Sequence, residues 1–182
     1  ISQQSNYYVP LNLLKTYQQG TRSMHGLPGP NYWINNAHYT MDVVFDPVYS
    51  SISGQANIRY FNNSPDTLRA LVFNLYQDIF RKGNSRDWDL GMDDVHNGMQ
   101  FNKMILGEES IDMQNRRAFL RQGTKLIVRP THALLPYDSI DIQTEWQVRL
   151  PQKRTVRMGK YNDRLHFVAY WYPQIAVYDD LD

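Results

Sequence analysis

Short runs of alternating apolar and polar residues, separated by Gly, Pro, Asn and Asp clusters, constrain this chain more than any other feature. In Ser53 to Phe61 (SGQANIRYF), Ala56, Ile58 and Tyr60 fall on one side and Asn57, Arg59 and Phe61 on the other. That period of two is the signature of a half-buried strand. His38 to Asp46 is rich in strand formers and closes on the turn signal Asp46-Pro47. Leu68 to Leu75 sets Leu71, Phe73 and Leu75 against Ala70, Val72 and Asn74, which predicts burial on much of both faces. These three runs are expected to form an antiparallel meander. Met99 to Leu106, Ala118 to Leu120, Lys125 to Arg129, Ser139 to Val148 and Leu165 to Tyr170 read as further strands. The expected fold is all-β, an antiparallel sandwich or a pair of saddle-shaped sheets.

Two segments depart from that pattern. Leu11, Leu14, Lys15 and Gln18 have helical spacing and Gly20 offers a stop, so a short helix precedes the strands. Gly26-Leu27-Pro28-Gly29-Pro30-Asn31 then marks the entry to the main domain. The expected division is an N-terminal extension over 1–31 and a β-domain over 32–182. The second departure is the polar loop between Tyr76 and Gly98, whose length marks it as functional or as ordered by something else.

Composition removes several functions. Formal net charge is +1, from 19 basic and 18 acidic residues spread along the chain, so there is no basic field for nucleic acid. Cysteine is absent, which excludes disulfides, thiolate ligands and a cysteine nucleophile. No apolar run reaches the roughly 18 residues of a membrane span, and no basic-then-apolar leader opens the chain. Its end, Tyr170 to Asp182, is too aromatic for a disordered tail and predicts that something follows.

The search for a reaction centre finds none that is complete. A mononuclear zinc peptidase needs His-Glu-x-x-His, because i and i+4 on a helix converge on one metal. His25, His38, His96, His132 and His166 contain no such pair. Asp87, Asp89, Asp93 and Asp94 form an acidic cluster, but without the register or terminal Glu of a calcium loop, so a solvated turn-forming loop is favoured over a metal site. Glu108-Glu109 with Asp141 fails as a glycosidase pair, since neighbours on a strand point to opposite faces. Trp33, Trp88, Trp146 and Trp171 suit either a sugar-stacking platform or a core, and the core is favoured.

Certain strings carry more than local information. Pro28-Gly29-Pro30-Asn31-Tyr32-Trp33, Gly54 to Asn63 (GQANIRYFNN), Phe73-Asn74-Leu75-Tyr76 and Tyr170-Trp171-Tyr172-Pro173-Gln174-Ile175-Ala176-Val177-Tyr178-Asp179-Asp180 occur in that order. Together they resemble the N-terminal domain of the aminopeptidase N family of zinc metallopeptidases, in its Bacteroidetes-type branch, from about Tyr32 onward. The resemblance implies a non-catalytic β-domain that walls the active-site cleft and docks on a catalytic domain of the same polypeptide. It places the zinc, the general base and most of the peptide substrate site beyond Asp182, so this segment alone is expected to be inactive. It further implies export to the periplasm or cell surface. Some relatives grip the substrate's free amine with a glutamine from the end of this domain, and Gln174 is the nearby candidate here, although it follows Pro173 rather than preceding the aromatics. The alternative reading is a free-standing surface sandwich that binds glycan or protein through the Arg81 to Gly98 loop and Trp88. A third is a calcium-stabilised structural domain.

Overall fold

The structure is a computed structural model, and it describes residues 8–153, 158–162 and 164–181. It divides into two compact units, one running to Asn35 and resuming at Val177, the other spanning Asn36–Ala176. The larger unit holds every strand among the described residues. In chain order these are β1 (Asn36–Asp46), β2 (Ser51–Phe61), β3 (Leu71–Asn74), β4 (Gln100–Leu106), β5 (Glu109–Ser110), β6 (Phe119–Gln122), β7 (Lys125–Val128), β8 (Ser139–Arg149), β9 (Met158–Tyr161), β10 (Leu165–Val168) and β11 (Gln174–Ile175). The fold is all-β and its pairings are antiparallel.

Five strands form one sheet in the order β1-β2-β8-β4-β5 and four form a second in the order β11-β3-β7-β6, with β9 and β10 a separate hairpin. Alternation decides which faces meet. On β2, Ile52, Ala56, Ile58 and Tyr60 are buried while Ser53, Gln55, Asn57 and Arg59 face out. On β8 the matching set is Ile142, Thr144, Trp146 and Val148. On the second sheet, Leu71, Phe73, Leu126, Val128 and Phe119 are buried. Phe101 on β4 meets Phe119 on β6 edge-on at 5.7 Å, which joins the two layers. Each large side chain buried this way contributes about 1.5–3 kcal/mol of hydrophobic stabilisation.

Gly54 shows how tightly the inner face is packed. It lies opposite Trp146 in the β2–β8 register. A Cβ at Gly54 would sit 2.6 Å from the indole, so only glycine leaves room for that ring.

One expectation about connectivity is corrected. β3 does not continue the meander; it pairs with β7 and β11 in the second sheet. The edge of β2 that β3 would have used is occupied along its full length by β8, whose register runs from Ser51↔Arg149 to Phe61↔Ser139. The crossing segment is secured from inside: the buried Asn62 amide donates to Asp66 O at 2.8 Å and Leu135 O at 2.9 Å. Leu68 and Leu134 then exchange backbone hydrogen bonds at 2.8 and 2.9 Å.

The smaller unit contains α1 (Leu11–Gln19). Gly20, at φ 70°, ends it: Gly20 N–H donates to Tyr17 O and Thr21 N–H to Thr16 O, satisfying carbonyls the helix leaves open. In the same unit Arg22 forks onto Asp180, with Nη2 to Oδ1 at 2.6 Å and Nε to Oδ2 at 2.9 Å. That guanidinium holds the Asp180 carboxyl below the usual carboxylate range. Trp33 packs on Tyr178 with ring centroids 6.4 Å apart. No helix among the described residues is long and apolar enough to cross a membrane.

Candidate functional site

Two of the strings singled out in the sequence meet in the larger unit. After β3 the chain tightens into a 3-10 turn at Tyr76–Phe80. Its three-residue period turns Tyr76 outward, 39% exposed, and sends Gln77, Asp78 and Phe80 inward. Alongside runs the segment 169–176, joined through Gln174↔Asn74 and Ile175↔Phe73. Tyr76 and Tyr170 lie with ring centroids 4.8 Å apart, Trp171 meets Tyr172 at 5.0 Å, and Tyr172 meets Tyr39 at 5.7 Å. The result is a ledge of half-buried aromatic rings.

The ledge is pinned from beneath by polar groups. Gln77 Nε2 donates to Ala169 O at 2.8 Å and Tyr170 O at 3.4 Å. Trp146 Nε1 donates to Trp171 O at 3.3 Å. Ile175 N–H donates to Tyr39 Oη at 2.9 Å, and Ala176 N–H to Val72 O at 2.7 Å. Burial pushes the Tyr39 hydroxyl up from its ordinary pKa, partly offset by the Ile175 N–H it accepts. These anchors hold Tyr170 at φ 55°, in the left-handed region that costs a bulky residue about 1–3 kcal/mol. Strain of this kind persists only where the surroundings over-determine it. The Gln77 Oε1, buried without a hydrogen-bond partner among the described residues, adds a further cost at the same place.

Chemically, residues 169–176 supply phenols, an indole and an amide. Such groups shape a surface and bind; none of them is a base near neutral pH. Gln174 sits on β11, half-buried, with no hydrogen-bond partner for its side chain among the described residues.

The other sequence candidates have different fates. No group of three or more His, Asp or Glu that could hold a metal occurs among the described residues. Asp87, Asp89 and Asp93 are exposed, and Asp94 is buried with its Oδ1 accepting from Gln152 N at 2.6 Å. The four tryptophans do not form one platform: Trp146 is buried and stacks on Trp171 at 6.4 Å, while Trp88 stands 40% exposed in its loop. Glu109 is spent on Thr131, accepting from its N–H at 2.7 Å and its hydroxyl at 2.8 Å. The long loop is closed at its base, where Lys82 N–H donates to His96 O and His96 N–H to Phe80 O.

His96 itself is half-buried and stacks on Phe80 with ring centroids 5.9 Å apart. Its Nδ1 accepts from Gly98 N–H at 2.9 Å, which leaves the proton on Nε2. Burial, with Arg149 nearby, lowers its pKa to about 4. Asp78 is a fully buried group that sequence reasoning passed over. It accepts from Met99 N–H at 2.8 Å and from Arg121, with Arg81 at 3.9 Å. Burial pushes its carboxyl up, against the pull of those partners. Its only signal in the sequence is a polar pair, Gln77-Asp78, set between apolar neighbours.

No family model matches the chain, and no curated protein matches it. Solved structures do. An M1 zinc metallopeptidase from Deinococcus radiodurans is similar at 13% identity and a TM-score of 0.42, over 70% of this chain and 24% of that one. A variant M1 zinc metallopeptidase from the same organism, bound to a Tyr-Ser-Ala substrate, is similar at 12% identity and a TM-score of 0.42, over 70% of this chain and 23% of that one. A two-domain M1 zinc metallopeptidase bound to L-arginine gives 12% and 0.43, over 71% and 24%. The chain therefore spans about a quarter of the length of these solved chains.

Proposed function

We propose that this chain is a non-catalytic β-domain of a zinc-dependent aminopeptidase, docked on the catalytic domain, with its aromatic ledge forming one wall of the active-site cleft. The observation that carries the reading is the convergence of Phe73 to Tyr76 with Tyr170 to Ala176. These two strings are among those that bear the family resemblance, are separated by roughly two thirds of the larger unit in sequence, and pair as β3 and β11. A strained, multiply anchored backbone at Tyr170 is the kind of feature that marks a binding wall. In this reading Gln174 offers its free amide to the peptide's α-amine, zinc is held by the catalytic domain, and the whole protein works in the periplasm or at the cell surface.

The test uses the native protein purified from its source and assayed on aminoacyl p-nitroanilides. Release of nitroaniline that a chelator abolishes is expected, with Gln174→Ala raising KM several-fold (about 1 kcal/mol of lost hydrogen bonding) and moving kcat less. Nitroanilide turnover that persists in chelator contradicts the zinc assignment. A KM unmoved by Gln174→Ala removes that residue from the site.

A further inference from the structure

A cavity of about 450 Å³ opens beside the Asp78 network, lined by three arginines, Arg81, Arg116 and Arg121, with Gln100, Gln114 and Phe101 among its other walls. No carboxylate among the described residues lines it. We propose that this cavity binds a phosphate-type oxyanion.

The argument is a count of donors against acceptors. Three guanidiniums bring fifteen N–H groups in principle, about five each. The one carboxylate beneath them, Asp78, has both oxygens engaged, Oδ1 by Met99 N–H and Oδ2 by Arg121 Nε and Nη2. Arg81 reaches that carboxylate only at 3.9 Å. Arg116 is exposed and has no ion-pair partner among the described residues. The pocket thus presents unmatched guanidinium donors, and the planar fork of arginine suits oxyanions better than any neutral ligand.

The arrangement is also built rather than accidental. Asp78 is fully buried and fixes the Arg121 side chain, which is 18% exposed. Gly98, at φ 74°, leaves the space this pair needs, since a Cβ there would fall 2.5 Å from Asp78 Oδ1 and 2.9 Å from Arg121 Nη2. Phe101 and Phe119 meet edge-on at the cavity wall, offering an apolar surface for the body of a larger ligand. The volume lies within the range of small-molecule sites. A second cavity of about 820 Å³, around His96, carries the single guanidinium of Arg149 and shows no such excess.

Titration of the full 182-residue chain with inorganic phosphate, followed by calorimetry at low ionic strength, tests this. Saturable binding at one site is expected, weakened about tenfold in Arg116→Ala because one charge-assisted contact is lost. Arg116 is exposed, so that variant should fold, and a circular dichroism melt checks it. Arg59→Ala, on the outer face of the large sheet, is expected to leave phosphate affinity unchanged. Phenyl phosphate is the second probe. Tighter binding than inorganic phosphate assigns the site to the phosphate of an organic molecule resting on Phe101, and equal affinity assigns it to the free ion; both sustain the site. Absence of saturable phosphate binding, or affinity equal in wild type, Arg116→Ala and Arg81→Gln, overturns it.

Discussion

Asp78, His96 and Gly54 are three positions where the fold depends on one atom's surroundings. Asp78 is fully buried and is held by Arg121, whose side chain is 18% exposed, so removing the guanidinium leaves an uncompensated buried carboxylate. Arg121→Met is therefore expected to destabilise the protein by about 3–5 kcal/mol in denaturant unfolding, while the paired change Asp78→Leu with Arg121→Met recovers much of that loss. His96 gives a pH signature. Its folded pKa, about 4, lies below the unfolded value, so the stability it contributes is complete above about pH 6.5 and is lost as pH falls through 4. Urea unfolding across that window should show a decline of up to about 3 kcal/mol beyond the carboxylate contribution, and His96→Phe should flatten it. Gly54→Ala forces the Trp146 ring to shift and is expected to cost about 1–3 kcal/mol, read as a lowered midpoint with an unchanged m-value. Of these positions the sequence disclosed little. A glycine opposite a tryptophan is visible only once the register Gly54↔Trp146 is known, and a buried Asp is indistinguishable in a linear string from a solvated one.

At the scale of elements, alternation made most strands legible and pairing did not follow from it. Ser53 to Phe61 reads as a strand because its period of two survives in the structure as one buried and one exposed side. β5 and β11, two residues each, are too short for a period to show, and β9 (MGKY) carries no alternation of strand formers. The placement of β3 was misread because sequence adjacency favours neighbours in a sheet, whereas the competing strand, β8, offers eleven paired residues to β2. The aromatic ledge was half legible: the string 170–180 stood out, but neither the left-handed backbone at Tyr170 nor the Gln77 anchor has a sequence signal. That strain is measurable. Tyr170→Ala and Tyr170→Gly both lose the ring contact with Tyr76, yet only glycine relieves the backbone. Tyr170→Gly is expected to be more stable than Tyr170→Ala by about 1 kcal/mol in thermal or urea melts; equal stability would mean the backbone at 170 is unstrained.

At the scale of the whole molecule, the larger unit is an all-β body of antiparallel sheets, with buried side chains supplied by β2, β8, β3 and β7. It places an aromatic ledge where β3 and β11 end, and an arginine-lined cavity beside β4 and β6. The proposed role places the zinc and the general base in a separate catalytic domain. The most direct measurement is the sequence of the parent transcript past the Asp182 codon. The account predicts an open frame encoding His-Glu-x-x-His followed by a downstream glutamate; a stop codon close after Asp182 would contradict it and leave a free-standing sandwich.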